Sequence, residues 1–174
     1  TAADAPASYA EFSNGKTRLD GYFPLLIDPV TAQVFMEVPR DRGEFIFQTS
    51  LPRGVGSNDL GLDRGQLGDT RLVRFERIGT RMLLRERNTR YRADSDNAAE
   101  RRSVEEAFAS SVIAGFEVVA EDATRSVIDY TPFLLTDTHA IGQVLDVAKE
   151  GSFKVDAQRS APFPDRIRAF PRNT

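Results

Sequence analysis

Five side chains able to make directed polar contacts fall within nine positions: Asn58, Asp59, Asp63, Arg64 and Gln66, in a stretch punctuated by Gly56, Gly61, Gly65 and Gly68. Ionised and amide groups on a glycine-permissive backbone suit hydrogen bonding to a peptide main chain, or fixing a contact between two protein surfaces. They are the candidate interface or substrate-contact residues. The same stretch invites comparison with a phosphate cradle, because successive N–H groups bind anions where glycine allows close approach. It lacks the lysine followed by serine or threonine of a P-loop, no helix start follows, and Asp59 and Asp63 would repel an anion. A loop whose Asp and Asn side chains satisfy their own backbone is the plainer alternative to a binding role.

Catalytic chemistry is poorly supplied. The chain has one histidine, His139, and no cysteine. A zincin site needs two histidines one helical turn apart with a glutamate beside the first, so this chain cannot build it. Capping or solvent exposure is favoured for His139, beside Asp137 and Thr138. No Gly-x-Ser-x-Gly elbow is present, and the single histidine would have to serve any serine nucleophile alone. Acids are plentiful at 26, but nothing in the sequence places two across a scissile bond. Asp94-Ser95-Asp96-Asn97 opens like a calcium loop, yet Ala99 stands where that loop requires glycine, and helix capping is the simpler account. The expectation is no catalytic residue, no cofactor and no metal in this chain.

Eight arginines lie between Arg71 and Arg92, against Glu76 and Glu86, with Phe75 and Tyr91 interleaved. Such a run raises nucleic-acid binding. The net charge of −3 argues against it, period-two strands would divide the arginines between faces, and Glu100, Glu105 and Glu106 are available to pair with them. A solvated or interface face is expected, with no nucleic-acid partner.

The elements that must position these groups follow from hydrophobic patterning. Tyr22–Ile27 and Gln33–Val38 are β-rich runs around an Asp28-Pro29 turn, a hairpin. Glu44–Leu51 alternates, predicting a third strand with Phe45, Phe47, Thr49 and Leu51 on one face, ended by Pro52, Gly54 and Gly56. Thr70–Arg77 and Arg81–Arg87 form a second hairpin around Ile78-Gly79-Thr80, with Val73 and Phe75 inward and the arginines outward. Asn97 and Glu100 start a helix carrying Val104, Phe108 and Val112, with Gly115 at its end. Phe116–Ala120 and Arg125–Tyr130 make a further β pair. Ile141, Val144, Leu145 and Ala148 define a second helix with Gly151 at C′, and Ser152–Asp156 is expected as a short strand.

Strands outnumber helices and arrive as hairpins. The fold class is therefore α+β, a largely antiparallel sheet with two amphipathic helices. The 174 residues, 40% hydrophobic and 28% charged, suit one domain with a substantial core. Residues 1–19 are expected as a flexible leader, of the kind left after signal cleavage, and 20–174 as the single domain. No apolar run approaches the roughly 18 residues of a membrane span. Twenty of the 23 basic residues are arginine, a skew in cation type read mostly as genomic or compositional bias.

The run Gly56-Ser57-Asn58-Asp59-Leu60-Gly61-Leu62-Asp63-Arg64-Gly65-Gln66 is followed by Val73-Arg74-Phe75-Glu76-Arg77 and by Arg90-Tyr91-Arg92-Ala93-Asp94-Ser95-Asp96-Asn97. With Phe170-Pro171-Arg172-Asn173-Thr174, these segments resemble the N-terminal domain of unknown function of large bacterial zinc-dependent metalloproteases, over about residues 20 to 174. The resemblance implies an exported, periplasmic or cell-surface parent whose separate downstream domain carries the HExxH zinc site. This chain would be its accessory module, with that metallopeptidase domain and peptide substrate as partners and zinc held only by the parent. It also implies further β-like sequence beyond the Asn-Thr pair, so that 20–174 would be truncated at its C-terminal end. A sheet edge left open for self-association would follow. The alternative reading is a stand-alone module that holds an anionic polymer or cell-surface ligand on the arginine-bearing hairpin. An autonomous carboxylate enzyme is the least favoured.

Overall fold

The computed structural model describes residues 5–56, 58–89, 95–107 and 110–171. Nine strands form one sheet: β1 (Ala7–Ser8), β2 (Thr17–Leu19), β3 (Leu25–Ile27), β4 (Val34–Pro39), β5 (Phe45–Phe47), β6 (Arg71–Ile78), β7 (Arg81–Glu86), β8 (Val112–Glu121) and β9 (Arg125–Asp129). The helices are α1 (Tyr9–Ser13), α2 (Ala98–Ala107), α3 (Thr131–Leu134) and α4 (Ile141–Val147). Strand order is β2-β3-β4-β9-β8-β7-β6-β5, antiparallel throughout, with β1 added parallel to Ala120–Glu121 of β8. This is the α+β architecture that the hairpin pattern predicts.

β8 organises the sheet because it serves two partners in succession. Its residues from Val112 to Glu117 pair with β7, whereas Val118 to Glu121 pair with β9 after a register slip. Alternation then sorts the side chains. Val38, Val73, Met82, Leu84, Phe116, Val118 and Ile128 are buried together on the inner face, each large aliphatic residue contributing about 1.5–3 kcal/mol by leaving water. Phe23, just before β3, meets Phe45 of β5 at 4.8 Å, so the two ends of the strand order approach and the sheet curls around an aromatic interior.

The outer face is covered near β4 and β9, where Leu26, Phe35, Ala120 and Val127 pack against Tyr9 and Phe12 of α1. Residues 7–19 are therefore part of the sheet and its cover, where a flexible leader was expected. The cause is two aromatics in an otherwise small, polar stretch: Phe12 meets Phe35 edge-on at 4.9 Å, with the Lys16 ammonium 4.2 Å from its ring centroid. At the other end of the chain, Ala169 is buried with Leu25 and Val34. The Tyr22 N–H donates to the Phe170 carbonyl at 2.7 Å. Gly21 permits this approach, since a Cβ there would lie 2.5 Å from that carbonyl oxygen.

Several boundaries differ from expectation. α2 ends at Ala107, Val112 opens β8, and Gly115 lies inside that strand; Phe108 lies outside the described residues. The four-residue spacing of Val104 and Val112 yields to a β-branched run, Val112, Ile113, Val118 and Val119, that pairs with β7 and β9. The α2 start does follow the predicted cap, with Asn97 Oδ1 accepting from the Ala99 N–H at 2.9 Å. Gly151 is not the C′ residue of α4. Lys149 takes the left-handed conformation instead (φ 61°), with Lys149 N–H bonded to Asp146 and Glu150 N–H to Leu145, a Schellman motif. Ser152–Asp156 forms no strand; Asp156 caps a 3-10 turn at Ala157–Arg159. The third predicted strand shortens to β5, extended by one bridge between Ser50 and Leu67.

Candidate functional site

The glycine-rich loop is held by its backbone. Gly65 N–H donates to Leu51, Leu51 N–H to Gln66, Val55 N–H to Leu62 and Gly68 N–H to Thr49, at 2.7–3.1 Å. Leu51 and Leu62 anchor it, being 5% and 2% exposed. The side chains of Asp59, Asp63, Arg64 and Gln66 are exposed, and none of them makes a hydrogen bond or ion pair with the described residues. Asn58 opens the 3-10 turn Asn58–Leu60. A fixed main chain presenting uncommitted polar groups is a pre-organised contact surface, because little conformational freedom remains to be lost on binding.

A cleft of about 800 Å³ lies beside the loop, between its last residues, the first half of β8 and the α3–α4 segment. Of the five candidates only Gln66 lines it; Asp59, Asp63 and Arg64 lie outside. The wall opposite β8 is built by Pro132 and Phe133 of α3 and by Thr136–Ala140. Phe133 reaches Phe116 at 5.6 Å and Phe47 at 6.1 Å between ring centroids, giving the cleft an aromatic floor. Burial beneath that floor pushes the Tyr130 phenol up to about 12, so it stays protonated near neutrality.

His139 belongs to this wall, neither capping a helix nor lying in open solvent as expected. It is half-buried, with Nδ1 3.1 Å from the Thr49 hydroxyl. Gly68 allows that meeting, since a Cβ at position 68 would collide with Thr49 Oγ1. Asp137 is the residue that caps α4, accepting from the N–H groups of Ile141 and Gly142 at 2.8 and 2.7 Å. The Thr49–His139 contact thus ties the α3–α4 segment to the rest of the fold, while Asp137 secures that segment internally. Among the described residues no three acids or histidines gather as a metal site. Thr49, His139 and the β8 edge were missed by sequence reasoning; the only local signal was the Asp137-Thr138-His139 run.

The arginines of the second hairpin are mostly paired. Arg71 meets Asp69 and Glu86, Arg74 and Arg85 meet Glu76, Arg77 meets Glu121 and Arg87 meets Glu44. Arg81 donates to the Gly115 carbonyl at 3.2 Å. The partners are therefore strand neighbours, and among the described residues none is Glu100 or Glu106 of α2, two of the acids that the sequence offered; the Glu105 side chain lies outside the description. Arg71 and Arg77 share the parity of Val73 and Phe75, so they sit on the inner face and not the outer one; Arg90 and Arg92 lie outside the described residues. Neutralised guanidinium groups offer little to an anionic polymer.

A second polar cluster surrounds Glu37, which is 1% exposed. It accepts from Tyr9 Oη (2.8 Å), Arg18 Nε (2.8 Å) and Arg125 Nη1 (2.8 Å). Burial pushes its carboxyl up, but the bonds from Arg18, Tyr9 and Arg125 outweigh burial and hold it below the usual range. Every member is satisfied, so this is a structural knot that pins residues 9–18 to β4 and β9.

No helix among the described residues is long and apolar enough to cross a membrane. No curated protein and no solved structure matches the chain. Residues 65–174, from the end of the glycine-rich loop onward and more than half of the chain, match one family model, so the chain belongs to the family described as "Domain of unknown function (DUF5117)".

Proposed function

We propose that this chain is a non-catalytic accessory module of an exported bacterial zinc metallopeptidase. It packs on the protease domain through the Asn58–Gln66 loop and helps to shape the substrate cleft. The metallopeptidase context rests on the sequence resemblance set out above, and the zinc and the HExxH chemistry belong to the parent's own catalytic domain. The observation that supports the docking role is the loop itself. Its main chain is stapled to residues 49–55 while Asp59, Asp63, Arg64 and Gln66 are exposed and unbonded.

Alanine substitution of Asp59 and Arg64 in the longer protein tests the reading. Loss of an interface charge that is engaged in the complex costs more than about 1 kcal/mol, or about fivefold in association or turnover. Unchanged kinetics and unchanged domain association in both variants would refute it.

A further inference from the structure

We propose that the open side of β8 between Ile113 and Glu117 is a docking edge where an extended, basic polypeptide adds a strand. This deepens the docking reading above and rests on it. The Val118 N–H donates to the Thr80 carbonyl at 3.2 Å, which sets the alternation along β8. Phe116 and Ala114 direct their main-chain groups toward β7, and Gly115 directs its own away; a register shift opposite Leu84 and Arg85 ends this alternation at Ile113. On that far side β9 pairs only from Val118 onward. Beyond Asp129 the chain turns into α3 at Thr131, and the Tyr130 N–H stays with β4, donating to the Val34 carbonyl at 3.0 Å. No described strand lies beside Val112–Phe116 on this side.

The edge is accessible. Gly115 is exposed and lines the cleft, and its carbonyl is met by Arg81 Nη2, the end of an exposed, flexible side chain that an incoming N–H can displace. A Cβ at position 115 would stand 3.2 Å from that same nitrogen, so glycine keeps the approach low. The remaining open edges among the described strands, β1, β2 and β5, are two or three residues long, the usual protection against unwanted pairing. The β8 edge instead faces a built trough with an aromatic floor, the arrangement that strand-adding domains use: main-chain bonds for affinity, flanking side chains for selectivity.

Charge selects the occupant. Glu117 is exposed and its side chain bonds to none of the described residues, and Asp129 uses one oxygen on the Thr131 N–H. Asp137 adds a third carboxylate to the wall. Of the two cations on the cleft, Arg71 is already held by Asp69 and Glu86. An excess of acid favours basic side chains on the incoming strand.

The test is amide NMR on this chain with three capped hexapeptides: alternating valine-lysine, alternating valine-glutamate, and the lysine peptide N-methylated at every second residue. The lysine peptide is expected to shift the Gly115 amide and slow its exchange. N-methylation, which removes strand bonds, and glutamate replacement should each weaken binding about tenfold. Gly115→Pro deletes an N–H that faces the trough and leaves the β7 ladder intact, so it should weaken binding similarly. Glu117→Lys should reverse the preference toward the glutamate peptide, which misfolding would not do. Binding in the cleft with Gly115 exchange unchanged, and with no response to N-methylation, would overturn strand addition while sparing the loop-docking role. Absence of any cleft shift with all three peptides would also overturn it, and the Asp59 and Arg64 turnover experiment would then decide separately on the accessory function.

Discussion

The two ends of the sheet handle polar groups in opposite ways. Around β4 and β9, Glu37 is buried and spends both oxygens on Arg18, Arg125 and Tyr9, and an N-terminal helix seals that face. Around β8 and the glycine-rich loop, the side chains of Asp59, Asp63, Arg64 and Glu117 are exposed and bond to none of the described residues, and β8 has an open edge at Gly115. A charge satisfied internally reports on folding; a charge held on a rigid frame and left unsatisfied reports on something the frame meets. The contrast assigns stability to the first region and contact to the second.

The largest effect belongs to the knot. Glu37→Ala removes the common acceptor of two arginines and a tyrosine and is expected to cost about 3 kcal/mol in urea unfolding, the lower part of the range for breaking a buried pair because both arginines are partly solvated. The same carboxylate makes stability depend on pH. Its folded pKa lies below the unfolded value, so its contribution is fully present above the ordinary glutamate pKa of about 4.3 and is lost as pH falls through the folded value. Wild-type stability should decline in that acid window, and the Glu37→Gln variant should decline less steeply. Gly21→Ala forces a methyl against the Phe170 carbonyl and should cost about 2 kcal/mol, detaching the Ala169–Phe170 segment first.

Smaller effects are expected at the cleft. His139→Ala should lower stability by about 1 kcal/mol, the value of one hydrogen bond to Thr49. A loss above about 3 kcal/mol would place the histidine in the structural class with Glu37. Asp59→Ala and Arg64→Ala should leave the isolated chain within about 0.5 kcal/mol of wild type. A larger change in either would erase the difference between the two regions.

The paired strands were legible because β-rich runs flank turn residues whose chemistry is local: Asp28-Pro29, Ile78-Gly79-Thr80 and the Asp122 turn, where Asp122 Oδ1 accepts from the Thr124 and Arg125 N–H groups. Glu37 was not legible as a buried acid, since its partners stand 19, 28 and 88 residues away in the chain. Nor was α1, two aromatics in a short polar segment that forms against the sheet. The loop was recognised as a display of polar groups, but the cleft beside it depends on where β9 parts from β8. That point is set by the start of α3 at Thr131, and the strand patterns do not show how far along β8 that start falls. The helix expected across Val104–Val112 failed for a related reason: spacing alone could not show that Val112 had a strand partner waiting in β7.

Amide hydrogen exchange along β8, measured in this chain alone and in the longer protein, tests the division of labour most directly. The account predicts slow exchange at Ala114 and Phe116 in both, with Gly115 fast in the isolated chain and protected by at least tenfold when the neighbouring domain or a peptide is present. Equal protection of all three amides in the isolated chain would contradict it.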